Sequence, residues 1–255
     1  MHIEINGREP AARELAHAAL VNYGHYTSLQ VRGGGVRGLD LHLARLEAAN
    51  QELFGEPLDG ERVRAWMRHA ARAGTDASMR VTVFRPDEDD SARVMVSLGP
   101  PASMPTAPQR LRVVRYQRPA PHLKHRGTFG QLYFGRLARQ EGFDEALLVD
   151  LRGVISEGAI SNIGFFDGSG VVWPNAPALS GTAVQLLDRE LGRVGLASRR
   201  ARVRLGNVGS FRSVFLTSSL GVAPVGAVDG APVAVDTRLM TTLTDLYLSI
   251  PLDPL

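Results

Sequence analysis

A proline-rich segment near the middle of the chain most constrains its fold. The sequence PPASMPTAPQ, residues 100–109, contains four prolines in ten residues, and proline interrupts both helices and sheets. On either side of it, strand patterns and amphipathic helix patterns come in separate clusters, without the regular β-α-β alternation of a doubly wound sheet. The sequence therefore predicts an α+β chain of two domains, residues 1–104 and residues 105–255.

Apolar periodicity and turn residues predict the main helices. They are expected at 41–55, 59–74, 127–142 and 181–195, and in the tail from Val235. In the fourth helix, Thr182 is the predicted N-cap and Gly195 the predicted stop. A literal G-x-G-x-x-G runs from Gly33 to Gly38 between strand-like stretches, and it is not expected to open a helix. This context favours a glycine hairpin over a dinucleotide-binding fingerprint.

Composition limits the classes of function. The chain has 255 residues, a net charge of +3 and no cysteine, which excludes disulfides, thiolate nucleophiles and cysteine metal sites. No histidine–carboxylate spacing indicates a metal site either. Arginines are scattered among carboxylates and aromatic residues make up only 6%, which does not favour a nucleic-acid surface. Because no apolar leader or membrane-spanning run is seen, we expect a cytoplasmic protein that does not bind membranes.

Lys124 raises a chemical question. The chain has 29 lysine and arginine residues, and Lys124 is the only lysine among them. Arginine serves wherever a solvated positive charge is enough, so this lysine is either an accident or has a task that arginine cannot perform. A lysine amine can lose its proton and attack a carbonyl, whereas a guanidinium stays protonated. Schiff-base formation is the task that this reasoning favours.

The residue types around Lys124 suit a pyridoxal phosphate site. Glu157 follows a predicted hairpin, and His42 and Arg45 share one face of a predicted helix. The small-residue turns ALSGTA and LTSSLGV can present amides and hydroxyls to an anion. In such a site the lysine holds the cofactor aldehyde, a carboxylate pairs with the ring nitrogen, and an arginine with backbone amides holds the phosphate.

Five motifs, in order, resemble the class IV, fold-type IV pyridoxal phosphate enzymes: branched-chain aminotransferases, D-amino-acid aminotransferases and aminodeoxychorismate lyases. The motifs are YGHYTSLQVRGGGVRGLDLHLARL, LKHRG, GFDEALLVDLRGVISEGAISNIGFF, ALSG and FLTSSLGVAPVGAVDG. The resemblance implies a small N-terminal α+β domain and a larger C-terminal domain that has a mixed, barrel-like sheet and carries the cofactor lysine. It also implies a homodimer.

The resemblance assigns roles to individual residues. It implies that Lys124 forms the Schiff base with pyridoxal 5′-phosphate and then moves a proton, while Glu157 pairs with the ring nitrogen. The residues implied to bind the phosphate are Arg45, Thr182 and Ser218, and those implied to contact the substrate are Tyr26, Ser28, Ser219 and Leu220. The implied reaction transfers an amino group between an amino acid and a 2-oxo acid.

Departures from the family pattern leave the substrate open. Thr27 and Ser28 stand where aminotransferases of this family usually carry a glutamate after the pocket aromatic. Small hydroxyl residues there, together with the pair Lys124-His125, look more like the aminodeoxychorismate lyases. The alternatives are therefore such a lyase, which releases pyruvate and 4-aminobenzoate, and a catalytically silent homologue that only binds the cofactor.

Further departures concern a tyrosine of the family pattern, the turn that binds the phosphate and the arginine that binds the substrate carboxylate. Thr128-Phe129 replaces an asparagine-tyrosine pair, and the turn GTAVQ lacks the usual arginine. The loop DEDD is short and acidic where relatives place a longer segment with a carboxylate-binding arginine. The remaining candidates for that arginine are Arg80, Arg85 and Arg93.

Overall fold

The structure is a computed structural model and describes residues 1–86 and 91–255. The acidic loop DEDD, residues 87–90, lies outside the described residues. The described chain forms two compact units, which we treat one at a time. The first unit consists of Met1–Ala102, Leu123–Gly127 and Pro251–Leu255, and the second consists of Ser103–His122 and Thr128–Ile250.

Lys124 belongs to a segment that packs with the first unit. The sequence predicts this residue within the C-terminal domain, yet Leu123–Gly127 joins the N-terminal part of the chain. The reason is backbone pairing, because the Tyr26 N–H donates a hydrogen bond of 2.8 Å to the Lys124 carbonyl oxygen. The Arg126 N–H donates another of 2.8 Å to the Gly24 carbonyl. The division into two domains at residue 104 stays a prediction.

Strands and helices are numbered in chain order. The strands are β1 (His2–Ile5), β2 (His25–Val31), β3 (Gly35–Val36), β4 (Ala77–Phe84), β5 (Arg93–Gly99), β6 (Gln109–Arg115), β7 (Glu145–Val149), β8 (Ile155–Gly158), β9 (Asn162–Phe166), β10 (Gly170–Pro174), β11 (Ala197–Ala201), β12 (Ser213–Ser218), β13 (Gly221–Val228), β14 (Ala231–Pro232) and β15 (Asp253–Pro254). The α-helices are α1 (Ala12–Leu20), α2 (Leu39–Phe54), α3 (Gly60–Ala71), α4 (Phe129–Gln140), α5 (Thr182–Glu190) and α6 (Thr237–Ser249).

An antiparallel sheet with strand order β1-β5-β4-β2 forms the first unit, and α2 and α3 cover one of its faces. Side chains of β2 alternate between buried and half-buried, as a strand with one covered face requires. The apolar core between sheet and helices includes Leu29, Val31, Leu46, Val63, Met67, Ala70, Met79, Val81 and Val83. The half-buried positions of β2 (Tyr26, Ser28 and Gln30) point to the other face.

The glycine segment 33–38 does lead into a helix, and the expectation that it would not is wrong. Gly38 adopts a left-handed backbone, φ 66°, and α2 begins at the next residue. Only glycine adopts this conformation at little cost. The strands of this sheet are nevertheless all antiparallel, so the segment does not belong to the β-α-β unit of a dinucleotide-binding fold. Gly55, also left-handed, ends α2 as predicted.

A mixed nine-stranded sheet forms the second unit. Its main strand order is β11-β10-β9-β12-β13-β6-β7-β8, and β14 pairs with β13. The pairs β6–β7, β6–β13 and β10–β11 are parallel. The chain between β6 and β7 includes α4, so these two parallel strands are joined by a crossover that contains a helix. The sequence patterns instead indicate separate clusters of strands and of helices. Strand order depends on contacts distant in sequence, which local periodicity does not report.

Thr182 is the first residue of α5 and not its N-cap, which corrects the prediction. Gly181 occupies the cap position, and no side chain caps this helix. A Cβ atom on Gly181 would lie 1.9 Å from Asn162 Oδ1. The close approach of Asn162 thus requires glycine here and moves the helix start one residue along. Gly195 has a left-handed backbone after the short 3-10 helix that follows α5, which agrees with its predicted role as a stop.

Two kinds of feature are absent from the part of the chain that the structure describes. None of its helices combines the length and apolar character needed to cross a bilayer. Among the same residues, no group of three or more histidine, aspartate or glutamate side chains is arranged to hold a metal ion.

Candidate active site

The first group of candidate residues lies in the first unit, around Lys124. Residues 124–126 run antiparallel to the outer edge of β2, and His125 pairs with His25 through a backbone bridge. This register places Lys124 opposite Tyr26, and directly opposed residues project to the same face. The Lys124 Nζ atom lies 5.0 Å from the centre of the Tyr26 ring. Tyr26 and Lys124, which are 98 positions apart in the sequence, are thus neighbours in the structure.

Arg80 joins Tyr26 on the same face of the sheet. Its guanidinium carbon lies 3.6 Å from the centre of the Tyr26 ring, a cation–π contact. In the register between β2 and β4, Ser28 lies opposite Arg80. Tyr26 and Ser28, two positions apart on one strand, share this face. Arg80 is exposed, so its charge is accessible to an anion beside Tyr26.

The other two arginine candidates lie elsewhere in the first unit. Arg85 Nη2 is 3.0 Å from Glu56 Oε1 and donates a hydrogen bond of 3.0 Å to the Phe54 carbonyl. Arg93 begins β5 and lies opposite Phe84. Of the three arginines proposed for the substrate carboxylate, Arg80 is therefore the one whose contacts join it to Tyr26.

A buried polar group lies behind β2, between the strand and α2. Thr27 Oγ1 lies 2.6 Å from His42 Nδ1, and both side chains are fully or almost fully buried. Arg45 Nη1 donates a long hydrogen bond of 3.5 Å to the same Thr27 oxygen. His42 and Arg45, three positions apart, project from the same side of α2. Thr27 thus contacts both helix residues.

Burial and neighbouring cations set the charges of this group. Burial lowers the pKa of His42 to about 3, and the positive charges of Arg45 and Lys124 act in the same direction. His42 is therefore neutral at physiological pH. Burial also lowers the pKa of Arg45 to about 10, which still leaves the guanidinium protonated near neutrality. The group as a whole is cationic and partly withdrawn from water, which favours binding of an anion.

The second group of candidate residues lies in the second unit and centres on Glu157. This side chain belongs to β8, and its Oε1 atom accepts a hydrogen bond of 3.0 Å from Arg118 Nη1. The side chains of Arg118 and Glu157 are only 4% and 7% exposed. The backbone N–H of Leu179 donates to Glu157 Oε2 at 3.2 Å. These contacts favour the ionised carboxylate.

Arg118 is a residue that the sequence reasoning missed. It also donates to the Pro121 carbonyl oxygen at 2.9 Å, which ties the ion pair to the stretch of chain just before Lys124. In an arginine-rich chain, no local signal separates a buried arginine from the exposed ones. The proline and glycine residues around it indicate a loop, where arginine is ordinarily exposed.

The ALSG turn is held by two residues of the E-G-x-x-S-N motif. Glu157 accepts from the Leu179 N–H, as described, and Asn162 Nδ2 donates to the Leu179 carbonyl at 2.9 Å. The turn leads directly into α5, whose first residue is the buried Thr182. The first N–H groups of a helix lack partners within the helix. The motif therefore positions a helix start beside Glu157.

Ser218, Ser219 and Leu220 form the turn between β12 and β13. The Ser218 hydroxyl accepts from the Leu220 N–H at 3.2 Å and donates to the Met104 sulfur at 3.6 Å. The Ser219 carbonyl accepts from the Tyr247 hydroxyl at 3.2 Å. These bonds give the turn a defined conformation. The predicted contacts of this turn with phosphate and substrate stay predictions.

A family model for class IV amino-transferases matches residues 24–228 of the chain. No curated protein matches the chain in sequence. The branched-chain amino acid aminotransferase from Escherichia coli is 20% identical, with a TM-score of 0.83 over 97% of this chain and 93% of that one. A hypothetical aminotransferase from Mycobacterium tuberculosis, solved with alpha-ketoglutarate and PMP bound, is 19% identical, with a TM-score of 0.85 over 97% and 98%. Its PLP-bound form is 21% identical, with a TM-score of 0.79 over 91% and 90%.

These comparisons confirm the resemblance and the expected fold. The structural matches are below 25% identity and bear on the fold alone, whereas the family match rests on the sequence. The matched region contains Tyr26, Lys124 and Glu157, the residues around which the two groups are built. The chain belongs to the class IV aminotransferase family and has the fold-type IV architecture.

Proposed function

We propose that this protein is a pyridoxal 5′-phosphate-dependent aminotransferase that moves an amino group between an amino acid and a 2-oxo acid. The observation that carries the proposal is the position of Lys124, the only lysine, opposite Tyr26, whose ring also contacts Arg80, within a class IV aminotransferase chain. A lysine amine is the group that binds an aldehyde covalently. The M. tuberculosis neighbour was solved with PLP, and with PMP and alpha-ketoglutarate, which supports the same cofactor and substrate classes here.

The donor groups fit the cofactor by chemical type. Arg45 supplies a charge that is partly withdrawn from water, as phosphate binding favours. Thr182 and the first amides of α5 offer N–H and O–H donors to the same kind of anion, and we assign Ser218 to this role as well. Glu157, held by Arg118, is a carboxyl group of the kind that pairs with the ring nitrogen. Each part of the cofactor thus has a residue of matching chemistry.

Proton transfer is the task of Lys124. When bound, the cofactor supplies an electron-withdrawing ring that acidifies the Cα–H bond of the amino acid. We propose that the Lys124 amine would hold the cofactor through its aldehyde and that, as a free amine, its Nζ atom would accept the proton from the substrate Cα and later give it up again.

We assign substrate contacts to residues on the open face of β2 and to residues of the turn after β12. We propose that Arg80 binds a substrate carboxylate, because it is exposed beside Tyr26 on the face that carries Lys124. Tyr26 and Ser28 would contact the substrate from this strand, and Ser219 and Leu220 from the turn. A carboxylate bound by an arginine is held in a fixed direction.

The proposal is tested by the visible spectrum of the purified protein with pyridoxal phosphate. We expect a yellow band in the wild-type protein and none in Lys124→Arg, which keeps the charge but not the reactive amine. The band should bleach on addition of a suitable L- or D-amino acid, and a 2-oxo acid should restore it. A protein that develops no yellow band would contradict the assignment of cofactor and lysine together.

The same spectrum separates the alternatives. Ser28 and the pair Lys124-His125 favour an aminodeoxychorismate lyase, for which the band would stay with ordinary amino acids while 4-aminobenzoate and pyruvate appear from aminodeoxychorismate. A catalytically silent homologue would show the band and turn over none of these compounds. Bleaching and recovery of the band with a donor and acceptor pair would exclude the silent homologue.

We also propose that the protein acts as a homodimer. One face of α4 carries the exposed side chains of Phe129, Leu132 and Tyr133, which are 78%, 59% and 48% accessible. These positions are three and four residues apart and lie on one side of a helix. Phe129 and Tyr133 stack with ring centres 5.7 Å apart. Contiguous exposed apolar surface of this kind is typical of protein interfaces.

A further inference from the structure

We propose that Thr27 and His42 are positioning residues that hold the Arg45 guanidinium in place for the cofactor phosphate. This inference rests on the proposed function, and it concerns two residues that we propose act through Arg45. It assigns a role to the hydroxyl at position 27, where the motif of related aminotransferases has a carboxylate.

The hydrogen-bond directions within the group follow from the chemistry of its members. A guanidinium can only donate, so Arg45 Nη1 donates to Thr27 Oγ1 across 3.5 Å. The one hydroxyl proton of Thr27 is then available to His42 Nδ1, at 2.6 Å. His42 is neutral because it is buried beside two cations, and in the tautomer with its proton on Nε2 its Nδ1 atom accepts the Thr27 proton.

The Thr27 hydroxyl restrains one nitrogen of Arg45 and places no negative charge beside it. His42 in turn fixes the Thr27 rotamer, because both side chains are buried and their contact is short. An arginine side chain has several rotatable bonds. Because Thr27 already holds one of its nitrogens, Arg45 loses less conformational entropy when it binds a phosphate.

The Thr27 hydroxyl should therefore strengthen binding of the cofactor's phosphate group and have no effect on binding of its aldehyde. Pyridoxal carries the same aldehyde and ring as pyridoxal phosphate but lacks the phosphate. The affinity for pyridoxal measures the contribution of the lysine and of the pocket around the ring. The ratio of the affinities for pyridoxal phosphate and pyridoxal measures the contribution of the phosphate contacts. A residue that only supports the fold would change both affinities in the same proportion.

The experiment titrates the full-length protein with pyridoxal phosphate and with pyridoxal, following the visible band. We expect Thr27→Val to weaken pyridoxal phosphate about tenfold, the effect of one charge-assisted hydrogen bond, and to leave pyridoxal unchanged. Thr27→Ser, which restores the hydroxyl, should recover the wild-type ratio. Ser213→Ala is the control, since it removes a buried hydroxyl of β12 that accepts a hydrogen bond from the Asp236 N–H and should leave the ratio unchanged.

Two results would overturn the inference. One is a Thr27→Val protein with the wild-type affinity ratio, and the other is an equal loss of affinity for both aldehydes. If Thr27→Val does not fold, His42→Leu is tested instead, because it removes the hydrogen-bond partner of Thr27 and leaves Thr27 in place. The ratio of the affinities for pyridoxal phosphate and pyridoxal then tests the inference in the same way. A wild-type protein that forms no band with either aldehyde would instead refute the proposed function. A wild-type protein that prefers pyridoxal phosphate while both variants keep that preference would refute this inference alone.

Discussion

At the scale of single residues, burial decides what an ion pair contributes. Arg118 and Glu157 meet at 3.0 Å with almost no exposure, whereas Arg193 and Glu190 meet at 2.6 Å near the surface. Removing one partner of a buried pair leaves a charge without compensation in a medium of low polarity. An exposed pair loses little, because water solvates the remaining charge. The shorter of the two pairs is thus expected to matter less.

We therefore predict that Arg118→Met lowers the free energy of unfolding by about 3 kcal/mol. Glu157 would also lose the contact with Arg118 at its Oε1 atom, so affinity for pyridoxal phosphate should fall. Arg193→Met is the control and should change the stability by less than about 1 kcal/mol. Urea unfolding followed by circular dichroism measures both. Equal effects of the two substitutions would contradict the argument.

At the scale of elements, a buried carboxylate ties the turn between β8 and β9 to β7. Glu145 Oε1, on the first residue of β7, accepts hydrogen bonds from the Ile160 N–H at 2.9 Å and the Ser161 hydroxyl at 2.8 Å. Burial raises the pKa of Glu145, although both of these bonds act in the opposite direction. The turn that carries the S-N-I motif is thus held by an acceptor that resists ionisation.

This leads to a prediction about pH. A carboxyl whose pKa is raised in the folded state binds its proton more tightly there, so its contribution to stability is complete below the pKa of the unfolded chain, about 4.3. That contribution is lost as the pH rises through the folded-state pKa. Glu145→Gln keeps an oxygen acceptor and cannot ionise. The variant should therefore gain stability relative to the wild-type protein as the pH rises from 5 to 8.

Urea unfolding at several pH values in this range measures the difference. Glu47→Gln serves as the control, because Glu47 is exposed on α2. Parallel pH profiles of wild type and Glu145→Gln would show that the carboxyl titrates alike in the folded and unfolded chains, contrary to the prediction.

At the scale of the whole molecule, the apolar face of α4 leads to a prediction about assembly. If Phe129, Leu132 and Tyr133 lie in a homodimer interface, Leu132→Asp places a charge there and should raise the dissociation constant at least tenfold. Sedimentation velocity over a range of concentrations measures this. Arg238→Asp, a substitution at an exposed position of α6, is the control for a changed surface charge away from this face. A wild-type protein that sediments as a monomer at all concentrations would contradict the proposed dimer.

Elements with a strong apolar period were predictable, and those without one were not. The helices α2, α3 and α5 bury regular apolar positions and appear close to their expected bounds. The helix α4 also appears close to its expected bounds, although several of its apolar side chains are exposed. The helix α1 was not predicted, and its one buried residue is Glu14. Arg8 binds that carboxylate through two hydrogen bonds, of 2.7 and 3.0 Å. A helix that is held in place by an ion pair shows little apolar periodicity in its sequence, so periodicity does not predict it.

The sequence by itself determined which residue can carry covalent chemistry and which family the chain belongs to. Lys124 is the only amine among many guanidiniums, and residue type alone distinguishes the two groups. The tertiary structure decided which arginines accompany the candidate residues: Arg80 on the Tyr26 ring, Arg118 on Glu157 and Arg45 on Thr27. Arginines are chemically identical along a sequence. Their separate roles come from burial and from neighbours distant in the chain, and only folding supplies these.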